Sequence, residues 1–231
     1  MAAGTGSTPV VPRRAVLADG VYEAVKALIM DRHLEPGAKI NMDALARDLD
    51  VSPTPVREAL ARLEADGLVT KRALAGYTTV PLLDADGLTE LFELRQLIEP
   101  AAARWAAEAI DKTASAALVA MVSDVRKAAR SLSGADYRSY GLIVAHDTEF
   151  HEAIAAAAGR PLLLQTLRRL HPHVQIYRLF YGQDVGRETL AEHAAIARSL
   201  HRGDAEGAAT AMAEHLAKAQ RRFLRGMAGR S

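Results

Sequence analysis

The chain has no cysteine among its 231 residues. That excludes a disulfide scaffold and any thiolate metal site, and it fits a reducing cytoplasm. Aromatics are scarce at 5% while alanine and leucine abound, so a core of packed helices is expected. No apolar run approaches the ~18 residues a membrane span needs, and residues 1–18 lack the apolar stretch of a signal peptide. Net charge is only +1, which by itself says nothing in favour of nucleic acid.

What is present is 49% hydrophobic and 25% charged, ample for a real core in one large domain or two smaller ones. Gly, Ser, Thr and Pro make residues 1–15 a disordered lead, with Arg13 and Arg14 at its end. Over residues 16–34, Val21, Val25, Leu28 and Ile29 repeat at helical spacing, and Pro36-Gly37 must end that helix. A short helix follows, with Met42, Leu45 and Leu49 on one face.

The next stretch, VSPTPVREALARLEADGLV, carries Pro53 and Pro55 directly before a strong amphipathic run. First-turn N–H groups have no acceptor within a helix, so prolines there cost little and fix the helix start. Ser52 is placed to cap it, and Val56, Leu60 and Leu63 form the inward stripe. LVTKR and GYTTVPL then read as a hairpin over residues 68–81. Three short helices and a hairpin describe a winged helix-turn-helix over residues 16–81.

Beyond a linker of a few residues around Pro81 no strand pattern occurs, and residues 84–228 read as an all-α antiparallel bundle. Helices are expected at 84–110, 113–132, 135–159, 161–181, 185–201 and 204–227, with Pro172 kinking the fourth. Asp147 and His151 lie four apart beside the stripe Ile143, Phe150 and Ile154. His193 aligns with Leu190, Ala197 and Leu200, and His215 with Met212, Ala219 and Phe223. One carboxylate and three imidazoles on three inward faces suit a borderline divalent metal. Any one of these histidines alone would more often be a satisfied core residue; four inward groups together shift that balance. Arg95 lies on the stripe Leu88, Leu91, Phe92, Ile98 and Ala102. Its partner is either Glu99, one turn on, or the carboxylate of a bound ligand. His171 and Tyr177 are further candidates to line a cavity, whereas His33, His146, His173 and His201 read as peripheral.

PGAKINMDALARDLDVSPTPVREALARLEADGLVTK resembles the DNA-binding domain of the GntR family of bacterial transcription regulators. ELRQLIEPAAARWAAE, HDTEFHEAIAAAAGRP and EHAAIARSLHRGDAEGAATAMAEHL resemble the FCD ligand-binding domain of its FadR branch. Two positions depart from the pattern: Pro53 stands where many relatives have arginine, and Arg160 where many have asparagine. The resemblance implies a homodimer on double-stranded operator DNA. It also implies a divalent ion (zinc, nickel or manganese) held by Asp147, His151, His193 and His215, and a small organic acid as effector.

Residues 1–81 hold ten Lys or Arg and ten Asp or Glu, so the distribution of charge matters more than its sum. Ser52, Thr54 and Arg57 occupy the end of the recognition helix that meets base edges, Arg57 being the one candidate for a bidentate contact with guanine. Arg47 suits a phosphate, and the wing at Lys71, Arg72 and Gly76 the adjacent backbone or minor groove. The expected function is a cytoplasmic, effector-controlled repressor. Its rivals are a metal-dependent enzyme acting on a small organic acid, and a regulator with a purely structural metal or an acyl-thioester ligand.

Overall fold

A computed structural model describes residues 13–74, 76–131, 137–180 and 186–229, with backbone alone at 13–16, 129–131, 137–141, 173, 174, 177, 180 and 186. The chain divides into two compact units, Met1–Pro81 and Leu82–Ser231.

The first unit runs α1 (Arg13–Met30), β1 (Lys39–Ile40), α2 (Met42–Asp48), α3 (Pro53–Ala65), β2 (Val69–Arg72) and β3 (Gly76–Thr79). Helix α1 therefore starts within the stretch read as a lead, because the Gly/Ser/Thr/Pro bias stops at Pro12 and Arg13-Arg14-Ala15 are compatible with helix. The remaining lead residues, 1–12, lie outside the described ones.

Val56, Leu60 and Leu63 of α3 are fully buried beside Val21, Val25 and Ile29 of α1. Tyr22 joins the two helices: its hydroxyl donates to Asp66 Oδ2 at 2.6 Å, and the Arg62 guanidinium covers its ring at 4.2 Å. Arg62, also bound to Asp19 at 2.6 Å, is thereby engaged with α1.

Ser52 does take the N-cap position of α3, but its hydroxyl makes no capping bond. A capping side chain accepts from the second or third residue of the helix, and here the third is Pro55, which has no N–H. At the other end Gly67, at φ 71°, closes α3, with Leu68 N–H donating to Leu63 C=O.

The sheet has three strands rather than two, in the order β1-β3-β2, all antiparallel. β1 pairs Ile40 with Tyr77 and Lys39 with Thr78. Two residues cannot display an alternation, which is why periodicity misses this strand. Thr79 is fully buried; its Oγ1 donates to Glu35 C=O at 2.5 Å and accepts from Ala38 N–H at 3.0 Å. The third strand is thus fastened to the segment before α2.

Every described element of the second unit is a helix: α4 (Ala85–Ala109), α5 (Lys112–Ser131), α6 (Tyr137–Ala157), α7 (Pro161–Leu170), α8 (Pro172–Phe180), α9 (Gly186–Arg202) and α10 (Ala205–Ala228). The expected kink within 161–181 is a complete break. His171 adopts φ 44° in the left-handed region and Pro172 begins a new helix. Pro172 supplies no N–H to the preceding turn, and its ring disfavours the α conformation at His171. Asp84 and Asp204 cap α4 and α10 through the N–H groups of Gly87 and Gly207. The core gathers Phe92, Phe150, Ile154, Ile196, Leu200, Met212 and Leu216. Ile98, read as part of the inward stripe of α4, is only partly buried.

Candidate metal centre and DNA-binding face

Helix α6 presents Asp147 and His151 one turn apart, α9 presents His193, and α10 presents His215. One ligand atom from each of these four lies within 4.8 Å of all the others. Asp147 Oδ1 is 3.3 Å from His193 Nε2 and 3.9 Å from His151 Nε2. The three imidazole centroids are mutually 4.8–5.3 Å apart. All three rings are buried, and Phe150 stacks on His193 at 4.3 Å.

Burial pushes His151 down to about 4, against the pull of Glu99, and drives His193 well below the usual imidazole range. Neutral imidazole is the form that binds a metal. Three imidazole nitrogens and one carboxylate oxygen, converging within a few ångströms in a site largely closed to water, fit a divalent ion.

The Nδ1 atoms are occupied. His151 Nδ1–H donates to Glu99, and Glu99 also accepts from Arg95 Nε at 2.5 Å. His215 Nδ1–H donates to Glu192 at 2.8 Å, and Glu192 accepts two further bonds from Arg222, at 2.7 and 2.9 Å. His193 Nδ1 faces His146 Nε2 at 3.2 Å. Burial would raise both carboxyls. Arg95 and His151 outweigh it and hold Glu99 far below the carboxylate range, while His215 and Arg222 bring Glu192 to about 2.

Of the two partners considered for Arg95, the structure supplies Glu99. His146 is buried rather than peripheral. The signal was present, since residues 146, 150 and 154 share one helical face. Glu192, directly before His193, has no such signal, because its partners His215 and Arg222 lie on another helix. His171 is partly buried between α7 and α8, and the side chain of Tyr177 lies outside the described residues, as does that of His173. His33 and His201 are exposed.

In the first unit Arg47, Ser52, Thr54, Arg57, Lys71 and Arg72 are all exposed. Gly76, at φ 82°, starts β3, and Lys71 Nζ lies 5.8 Å from the Tyr77 ring centroid.

A family profile described as "Bacterial regulatory proteins, gntR family" matches residues 17–77, and one described as "FCD domain" matches residues 90–218. The chain belongs to the GntR family and carries an FCD domain. It is 30% identical to the Uxu operon transcriptional regulator of Escherichia coli (strain K12), over 92% of this chain and 90% of that one. It is also 32% identical to the Nta operon transcriptional regulator of Aminobacter aminovorans, over 63% and 66% of the two chains. Among solved structures, E. coli McbR/YncC shares the fold, with a TM-score of 0.68 at 23% identity over 94% of this chain and 99% of that one. The GntR-family protein is accordingly a DNA-binding transcription regulator and not an enzyme. No described helix is long and apolar enough to cross a membrane.

Proposed function

We propose that this GntR-family protein is a cytoplasmic, homodimeric repressor of the FadR branch. Its operator affinity is set by a small carboxylate bound at a metal in the FCD domain. The observation that carries the proposal is the convergence of Asp147, His151, His193 and His215 to within 4.8 Å of one another in a largely buried site. A divalent zinc, nickel or manganese ion held there would supply coordination positions for carboxylate oxygens. Zinc, nickel and manganese all accept this nitrogen-and-oxygen set. The chain's own contribution is to hold three imidazoles aligned while Phe150 and the surrounding core exclude water.

On the DNA side, Arg57 reads a base edge in the major groove with Ser52 and Thr54 beside it. Ser52 retains its hydroxyl for this because it makes no capping bond. Arg47 meets phosphate, and Lys71, Arg72 and Gly76 bring the wing to the neighbouring backbone or minor groove. The effector shifts operator affinity only through its different affinities for the DNA-competent and released states.

A purely structural ion is the second reading, favoured by how closed the three imidazoles are. A thermal-shift screen of small carboxylic acids, on metal-loaded and chelator-treated protein, separates the two. A true effector at 100 times its Kd stabilises by about 2.7 kcal/mol. The expected result is a shift of several degrees only in the metal-loaded sample. Acids that shift both samples equally would refute metal-dependent sensing, and no shift with any acid would leave the ion structural.

A further inference from the structure

We propose that Glu99 and Glu192 are positioning residues of the metal centre. Each fixes one imidazole, His151 and His215 respectively, with its Nε2 lone pair toward the ion. Arg95 and Arg222 hold the two carboxylates in that task. The inference rests on the metal reading above.

A neutral imidazole carries one proton, and only the nitrogen without it can bind a cation. An ionised carboxylate accepts hydrogen bonds and donates none, so a carboxylate against Nδ1 requires the proton there and leaves Nε2 open. Both histidines face such a carboxylate through Nδ1, His151 against Glu99 and His215 against Glu192.

A carboxylate so close to the centre could instead take the proton or bind the ion itself. An arginine prevents both, because its guanidinium stays charged and occupies carboxylate oxygens in a fixed geometry. Arg95 and Glu99 are one turn apart on α4 and both buried. Arg222 of α10 grips Glu192 of α9 through both oxygens. The same three-residue order, arginine to glutamate to imidazole, therefore arises twice on different helix pairs. Arg95 offsets the charge of Glu99, while Arg222 is shared between Glu192 and the exposed Glu188, 3.3 Å away; Asp147 is the anionic ligand. His193 is backed by the imidazole of His146 instead of a carboxylate. Carboxylate backing raises ligand basicity, which makes His151 and His215 stronger donors than His193.

Glu192 is only partly buried, so Glu192→Gln is the variant that tests the idea with the fold retained. Long-range proton–nitrogen NMR on the metal-free full chain should show His215 protonated on Nδ1, and a tautomer mixture in the variant. Cobalt(II) titration followed by visible absorption should show about 10- to 100-fold weaker binding in the variant, with an altered band shape. The double variant Arg95→Met/Glu99→Gln, which leaves no buried charge unpaired, should weaken cobalt binding likewise.

If wild type binds cobalt and both variants match its affinity and spectrum, the positioning role is overturned while the metal reading stands. A proton on Nε2 of His215 in the metal-free wild type also overturns it. If wild type takes up no cobalt, the metal reading falls and this inference with it.

Discussion

Replacing Arg95 by methionine separates two roles for that residue, ion-pair partner and effector contact. Arg95 and Glu99 are each 2% exposed and joined at 2.5 Å, so removing the guanidinium leaves a buried carboxylate without its cation, held only by the hydrogen bond from His151. Breaking a buried pair from one side costs about 3–5 kcal/mol. At a urea dependence of about 2 kcal/mol per molar, the midpoint of the helical unit should fall by roughly 1.5–2.5 M.

Adding Glu99→Gln removes the stranded charge, and the amide can hydrogen-bond His151 Nδ1 in either tautomer, its oxygen accepting or its N–H donating. What remains is an imperfectly satisfied amide, costing about 1–3 kcal/mol. The double variant should therefore be more stable than Arg95→Met alone. The assay is urea unfolding of metal-free, ligand-free protein followed by helical circular dichroism. A single-variant loss below about 1 kcal/mol, or a double variant no better than the single, would refute the ion-pair account. A stable Arg95→Met protein that no longer responds to carboxylates would identify Arg95 as an effector contact.

Arg57→Ala should cost about 1–3 kcal/mol of specific operator affinity in a fluorescence-anisotropy titration at fixed salt, and unchanged binding would remove it as the base reader. Burial first, then the hydrogen bond to Asp66, raise the Tyr22 pKa above its ordinary value. A raised folded pKa means this contribution is fully present below about pH 10 and is lost as pH climbs toward the folded value. Wild type should thus lose stability above pH 10 more steeply than Tyr22→Phe, and parallel alkaline melting curves would contradict this.

Helix-spaced apolar residues made most of the bundle legible, because long amphipathic helices leave a strong period in the chain. Three features escaped for separate physical reasons. β1 is two residues long and its pairing with β3 bridges a gap of nearly forty positions. Pro172 ends α7 where a kink is expected, because a proline that also constrains its predecessor can end a helix outright. The capping role given to Ser52 overlooked that Pro55 offers no N–H. At the candidate site the inward ligands were visible one helix at a time. Glu192 and Arg222 were not, since a polar residue at a helix border looks solvated until the neighbouring helix is known. The burial of His146 is legible in the sequence, its helical face being shared with Phe150 and Ile154.

The anchoring of Thr79 to Glu35 and Ala38 has a mechanical corollary. Because the hairpin is stitched to the stretch leading into α2, wing and helix-turn-helix cannot slide past each other without breaking the bonds of the buried Thr79. The α2–α3 pair and the wing therefore present one surface whose internal spacing is set by bonds within this unit.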